Sequence, residues 1–197
     1  MKTLTGKEGE ALLALFKDFA ADYNANSLSK KLSITPRGTL KILKNLYSEK
    51  LLIKKQMGKA AFYKVNLDDA YANKLVETLL IKESREKASR WLAEFEGLFG
   101  KSQIALIYGS AIRDYDKAKD IDLLIVIDKE KYKEASKWVD EKNNTSFKPL
   151  HGLIMTLPDL EQNLRDKNPA MINALREGYT LSGYEPLIEV IKNVTSF

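Results

Sequence analysis

The chain has no cysteine. Disulfides and thiolate metal sites are thereby excluded, and a reducing cytoplasmic setting is the compatible expectation. No apolar run approaches the ~20 residues of a membrane-spanning helix, so no membrane partner is expected. Met1-Lys2-Thr3 is not followed by an apolar stretch of the kind a signal peptide carries, so none is read. Low-complexity linkers and internal repeats are lacking as well. Histidine occurs once, at His151.

What is present fits a soluble globular protein. A length of 197 residues suits one large or two small domains, each able to bury a core. The net charge of +5 is unevenly spread. Residues 27–64 hold ten basic side chains (Lys30, Lys31, Arg37, Lys41, Lys44, Lys50, Lys54, Lys55, Lys59, Lys64) against one acid, Glu49, or +9. The rest of the chain has 22 basic and 26 acidic residues, or −4. A polyanion is the natural partner of the basic window.

That window has its own pattern. Leu12, Leu13, Leu15, Phe16, Phe19 and Ala20 recur at helical spacing over residues 7–23. Ser27 can cap a short helix running through Leu32. Ser33-Ile34-Thr35 reads as a turn, and Pro36 suits the first position of the next helix. There Leu40, Leu43, Leu46 and Tyr47 make an apolar face. Residues 52–57 and 60–65 read as two strands about Gly58-Lys59.

Helix, helix, turn, helix, hairpin is the order of a winged helix-turn-helix. Leu28 through Thr35, with the Gly58-Lys59 to Phe62-Tyr63 wing, resembles regulators of the MarR and ArsR type over roughly residues 7–66. The resemblance implies DNA binding and transcription regulation. The second helix of such a motif enters the major groove, so Thr35, Arg37, Thr39, Lys41 and Lys44 are the candidates at bases. Lys54, Lys55 and Lys59 would lie on the wing near phosphates. Lysine outnumbers arginine, which favours backbone attraction over bidentate base reading. A winged helix used for protein interaction or dimerisation, with a solvated basic face, is the alternative.

Residues 68–97 read as one long helix. Asp68 or Asp69 can cap it, and Ala72, Leu75, Val76, Leu79, Leu80, Ser84, Lys87, Ala88, Trp91, Leu92 and Phe95 trace its stripe. Gly97 and Gly100 end it. Such a helix can join two domains, form a homodimer seam, or pack on its own domain's core. The expected partition is therefore 1–67, a connecting helix at 68–99, and a second domain at 100–197.

In the second domain, Tyr108-Gly109-Ser110 ends one apolar run, and Asp120-Ile121-Asp122 opens another, Leu123-Leu124-Ile125-Val126-Ile127. Period-2 geometry puts Asp120 and Asp122 on one face of a strand, roughly 7 Å apart along it. Carboxylates so placed can hold a hard divalent cation, Mg²⁺ or Mn²⁺. The Gly-Ser turn offers backbone N–H groups and a hydroxyl to phosphate oxygens.

Gly-Ser, nine residues, then Asp-x-Asp in an apolar strand resembles the DNA polymerase beta-like nucleotidyltransferases, most of all their small stand-alone members. The likeness covers roughly residues 100–185 and extends to Pro158-Asp159-Leu160-Glu161 and to Glu177 through Gly183. It implies an α+β fold, a mixed sheet with helices on one side. The expected strands are 103–108, 121–127, 147–156 and a short 179–181. The expected helices are 129–142, 160–165, 170–177 and about 186–194.

The resemblance also implies chemistry: in-line attack on the α-phosphorus of a nucleoside triphosphate, with pyrophosphate leaving. By that pattern Asp120 and Asp122 are catalytic metal ligands, and Gly109 and Ser110 bind nucleotide. Arg113 or Lys117 could neutralise phosphate charge. Asp114 and Asp116 read as solvated loop acids. Such enzymes usually carry a third carboxylate on the next central strand. Here that strand, 147–156, has no Asp or Glu. His151 stands near the place, as a substitute ligand or base or as a half-buried strand residue with a satisfied hydrogen bond. Imidazole is a poorer Mg²⁺ ligand than carboxylate.

Three functions remain open. One is metal-dependent transfer of a nucleotidyl group to an unknown acceptor, coupled to DNA binding. Another is a DNA-binding regulator whose degenerate transferase domain only senses nucleotide or binds a partner. From the resemblance alone comes the third, an antitoxin that modifies or binds a small toxin.

Overall fold

The computed structural model describes residues 4–195. They form two compact units, residues 4–79 with Thr195, and Leu80–Val194. The class is mixed α+β with a small mixed sheet.

In the first unit, α1 (Gly6–Lys17), α2 (Ala25–Leu32) and α3 (Pro36–Ser48) precede a hairpin of β1 (Leu52–Met57) and β2 (Ala60–Val65). Each helix has a chemical start. Thr5 and Glu8 make a reciprocal capping box for α1, Asn24 and Ser27 make one for α2, and Thr35 caps α3 with Pro36 inside the first turn. The cap of α2 is thus Asn24, not Ser27; Ser27 answers from three residues on. Helix α1 is shorter than the apolar spacing predicts, because it stops at Lys17 and the chain turns through Asp18.

Leu12, Leu15 and Phe16 of α1, Leu28 of α2, and Leu43 and Leu46 of α3 are buried together with Tyr63 and Val65 of β2. A fully buried Leu or Phe contributes about 1.5–3 kcal/mol, so this set is the unit's main source of stability. Asp18 is buried and accepts hydrogen bonds from Tyr23 Oη (2.6 Å) and Lys31 Nζ (2.7 Å), which tie the α1–α2 connection together. Strands β1 and β2 pair antiparallel, Leu52 opposite Val65, about a turn where Gly58 has φ +58°. Tyr63 N–H donates to the Tyr23 carbonyl at 2.9 Å, adding an isolated antiparallel bridge to the hairpin.

The predicted 68–97 helix is three helices: α4 (Ala70–Lys87), α5 (Ser89–Glu94) and α6 (Glu96–Phe99). Asp69 caps α4, its Oδ1 accepting from Ala72 N–H at 2.9 Å. Ala88, at φ −129° and ψ 20°, leaves helical geometry. Its side chain is buried, and beyond it Trp91, Phe95 and Leu98 all reach one hydrophobic core. An apolar stripe records which residues are buried; it says nothing of whether the axis runs straight between them.

The second unit continues with β3 (Ile104–Tyr108), β4 (Ile121–Val126), a 3-10 turn (Lys129–Lys131), α7 (Tyr132–Asn143), β5 (Leu150–Met155), α8 (Leu157–Arg165), α9 (Pro169–Glu177), β6 (Tyr179–Ser182) and α10 (Tyr184–Val194). The sheet order is β5-β4-β3-β6. β3 is antiparallel to both β4 and β6, and β4 is parallel to β5. A parallel pair needs a crossover, supplied here by α7.

Alternation divides the sheet's side chains between two cores. Ala105, Ile107, Leu123 and Ile125 pack with Trp91, Phe95, Leu98, Ala135 and Val139. Leu106 and Leu124 point the other way and are equally buried. Helices α9 and α10 contact β3, and Leu106 Cδ2 lies close to Gly178 at the end of α9. Both faces are covered, which corrects the expectation of helices on one side. The continuous apolar runs of β3 and β4 are the sequence mark of a sheet buried on both faces.

Candidate functional site

One end of this sheet gathers the polar residues. β3 ends at Tyr108, and β4 begins after Asp120. Tyr108 is the antiparallel partner of Asp122, and Asp122 is the parallel partner of His151. Three adjacent strands therefore deliver a turn, two carboxylates and an imidazole to one place.

Gly109 makes the turn possible. Its φ is +83°, and a β-carbon there would lie 2.0 Å from Asp122 Oδ2. Glycine is required by the left-handed backbone and by the carboxylate packed against it. After it, Ser110 opens a turn: its carbonyl accepts from Arg113 N–H (3.1 Å) and Asp114 N–H (3.0 Å).

The loop from Ser110 to Lys119 is held at several points. Ala111 and Ala118 are buried in the core, and Ala118 N–H donates to the Asp114 carbonyl at 3.1 Å. Tyr115 has the Arg90 guanidinium 3.6 Å and the Lys148 ammonium 4.8 Å from its ring centroid, with Trp91 alongside at 5.7 Å. Each cation over an aromatic face contributes about 0.5–1 kcal/mol when exposed. Lys148 Nζ also donates to the carbonyls of Asp116 and Ala118. This clasp has no sequence signal, since its members are widely separated and follow no period.

Asp120, Asp122 and His151 each offer one ligand atom within 4.8 Å of the others'. Among the described residues no other set of three carboxylate, imidazole or thiol donors is that close. His151 Nδ1 lies 3.5 Å from Asp120 Oδ2, and the His151 side chain is 63% exposed. Burial raises the Asp122 pKa above the usual carboxylate range; the Asp120 charge adds to this and His151 opposes it. Burial also raises the Tyr108 hydroxyl's pKa, and Asp122 adds to that.

The other candidates of this loop are differently placed. Arg113 Nη1 donates to Glu177 Oε2 at 3.0 Å, a surface pair. Lys117 pairs with Asp114 at 2.9 Å, and hydrogen bonds from Lys117 hold the Asp114 carboxyl below its usual range. Asp114 and Asp116 are outside the group of three. No carboxylate of β5 joins Asp120 and Asp122; His151 has that register position.

In the first unit, Thr35 at the cap of α3, Arg37, Lys41 and Lys44 on α3, Lys54 and Lys55 on β1, and Lys59 in the hairpin turn are all exposed. Thr39, expected from the sequence to face a polyanion, is not on the exposed face. It is fully buried, and its hydroxyl donates to the Thr35 carbonyl at 3.1 Å. Thr35 Oγ1 accepts from Gly38 N–H at 3.1 Å as the α3 cap. Lys64 also leaves the basic surface, being buried and 3.5 Å from Asp22. Lys54 lies over the Tyr47 ring at 5.3 Å, an aromatic beside a cation on an exposed face.

Comparison with protein-family models, curated proteins and solved structures finds no match. Among the described residues no helix is long and apolar enough to cross a membrane.

Proposed function

We propose that the protein is a cytoplasmic, metal-dependent nucleotidyltransferase whose first unit is a DNA-binding winged helix. The observation that carries this reading is the meeting of the Gly109-Ser110 turn with Asp120, Asp122 and His151 at one end of the mixed sheet. The donor set suits a divalent cation: two partly buried carboxylates repel one another unless positive charge relieves them.

Asp120 and Asp122 would hold the cation, here Mg²⁺ or Mn²⁺. A bound cation would neutralise charge on a triphosphate and on the attacking and leaving oxygens. Gly109 lets the backbone approach phosphate without a side chain, and Ser110 supplies an N–H and a hydroxyl. Arg113 would exchange Glu177 for phosphate, since an exposed ion pair is worth only ~0–1 kcal/mol. In the transfer, an acceptor hydroxyl oxygen bonds to the α-phosphorus of the nucleoside triphosphate and its proton leaves. The bond from that phosphorus to pyrophosphate breaks.

The test uses triphosphates labelled at the α-phosphate, offered with Mg²⁺ or Mn²⁺ together with cell extract as acceptor. Label should move to an acceptor with wild type and not with Asp120→Asn/Asp122→Asn. Absence of transfer and of triphosphate binding in wild type would overturn the reading.

A second reading is favoured by the lack of a third carboxylate and by the exposed lysines of α3 and the hairpin. In it the protein is a DNA-binding regulator whose second unit senses nucleotide or holds a protein partner, such as a toxin. Nucleotide binding without transfer, together with salt-dependent DNA binding, would select it.

A further inference from the structure

Beside Asp120 and Asp122, the nearest further donor among the described residues is a nitrogen, that of His151. His151 is the register partner of Asp122 across a parallel strand pair, where neighbouring strands run about 4.8 Å apart. Asp120 lies two residues from Asp122, on the same face of the chain. The imidazole and both carboxylates therefore face one volume.

The gap between them has the dimensions of an ion. At 3.5 Å, His151 Nδ1 to Asp120 Oδ2 is too long for a good hydrogen bond, whose N···O distance is about 2.7–3.2 Å. An octahedral cation with bonds of about 2.1 Å puts neighbouring ligands ~3 Å apart and opposed ligands ~4 Å apart. The three donors all lie within 4.8 Å of one another, close to that spacing. Since His151 is exposed on the outermost strand β5, its ring has room to turn.

Mg²⁺ strongly prefers oxygen ligands and gives up water reluctantly. Imidazole suits Zn²⁺, Cu²⁺, Fe²⁺ and Ni²⁺; Mn²⁺ suits carboxylates as Mg²⁺ does, yet it belongs to the same first-row series that takes nitrogen ligands, at its weak end. We infer that His151 is the third metal ligand and makes this site select Mn²⁺ over Mg²⁺. The inference rests on the metal-dependent reading above and narrows it to a cation class. Zn²⁺ fits the same donors and competes with Mn²⁺.

The test is binding of MnCl2 and MgCl2 to the full chain, by calorimetry and electron paramagnetic resonance, with and without ATP. Wild type should hold Mn²⁺ about tenfold or more tighter than Mg²⁺, and His151→Asp should shrink that ratio to within about threefold. Spin-echo modulation from a directly bound ¹⁴N should be present in wild type and absent in His151→Asp. The side chain is exposed, and an unchanged melting temperature of the metal-free variants confirms folding. If His151→Ala keeps the wild-type ratio while Asp120→Asn abolishes Mn²⁺ binding, the inference falls and the metal-dependent reading stands. If neither cation binds wild type in either condition, both fall.

Discussion

Gly109 and Asp122 are packed so closely that a β-carbon on the first would sit 2.0 Å from a carboxylate oxygen of the second. Gly109→Ala must therefore displace Asp122 and also place alanine at φ +83°. The left-handed backbone alone costs about 1–2 kcal/mol. The variant should melt at lower temperature and bind Mn²⁺ at least about tenfold more weakly. Wild-type Mn²⁺ affinity in Gly109→Ala would show that Asp122 is not held where a ligand must be.

Asp122 should stabilise the loaded protein and destabilise the empty one. Burial and the Asp120 charge both oppose its ionised form. Asp122→Asn should raise the melting temperature of chelator-treated protein while removing the rise that Mn²⁺ gives wild type. That rise should reach about 2.7 kcal/mol at a hundred times the dissociation constant. Calorimetric melting with EDTA and with MnCl2 measures both effects; a lower metal-free melting temperature for the variant contradicts the first.

DNA binding should follow the exposed lysines and ignore Thr39. Replacing Lys41, Lys44 and Lys59 with Gln should weaken binding about equally across sequences, lowering the salt slope by ~1 for each phosphate no longer neutralised. Thr39→Ser, which keeps the hydroxyl that bonds the Thr35 carbonyl, should bind DNA as wild type does. Fluorescence anisotropy over a salt series decides. An unaltered slope in the triple variant would falsify a role for this face in DNA binding.

The start of α8 should be sensitive to acid. Thr156 N–H and Oγ1 donate to Asp159 Oδ2 at 3.0 and 2.6 Å, and these bonds hold the Asp159 carboxyl below its usual range. Because the folded pKa is the lower one, the contribution to stability is fully present above the ordinary Asp value. It is lost as pH falls through the depressed value. Asp159→Asn should flatten that part of the acid limb in a pH series of melting temperatures and leave neutral and alkaline behaviour parallel to wild type.

Which parts of this were legible in sequence follows from how local each signal is. The capping and turn residues Thr35, Pro36 and Gly58 mark α3 and the hairpin, because caps and turns are decided within a few residues. The apolar runs around Asp120 and Asp122 mark two strands, and their spacing puts both carboxylates on one face; in sequence only the family resemblance places His151 near them, and the strand register brings it there. The break at Ala88 was not legible: a 3.6-residue stripe is the same on one long helix and on two that bend toward a core. Thr39 looked exposed beside Arg37 and Lys41, yet its position on the helix circumference turns it inward. The clasp of Arg90 and Lys148 on Tyr115 exists only once the chain has folded.

The third donor stands on a strand with a neighbour on one side only, β5 at the margin of the sheet. With Asp122 on an inner strand, Asp120 just before it and His151 on the border, the proposed metal preference would change by a single codon without repacking the interior. A lineage moving between manganese-rich and magnesium-rich conditions, or an engineer retuning the ion, would find position 151 the simplest place to edit.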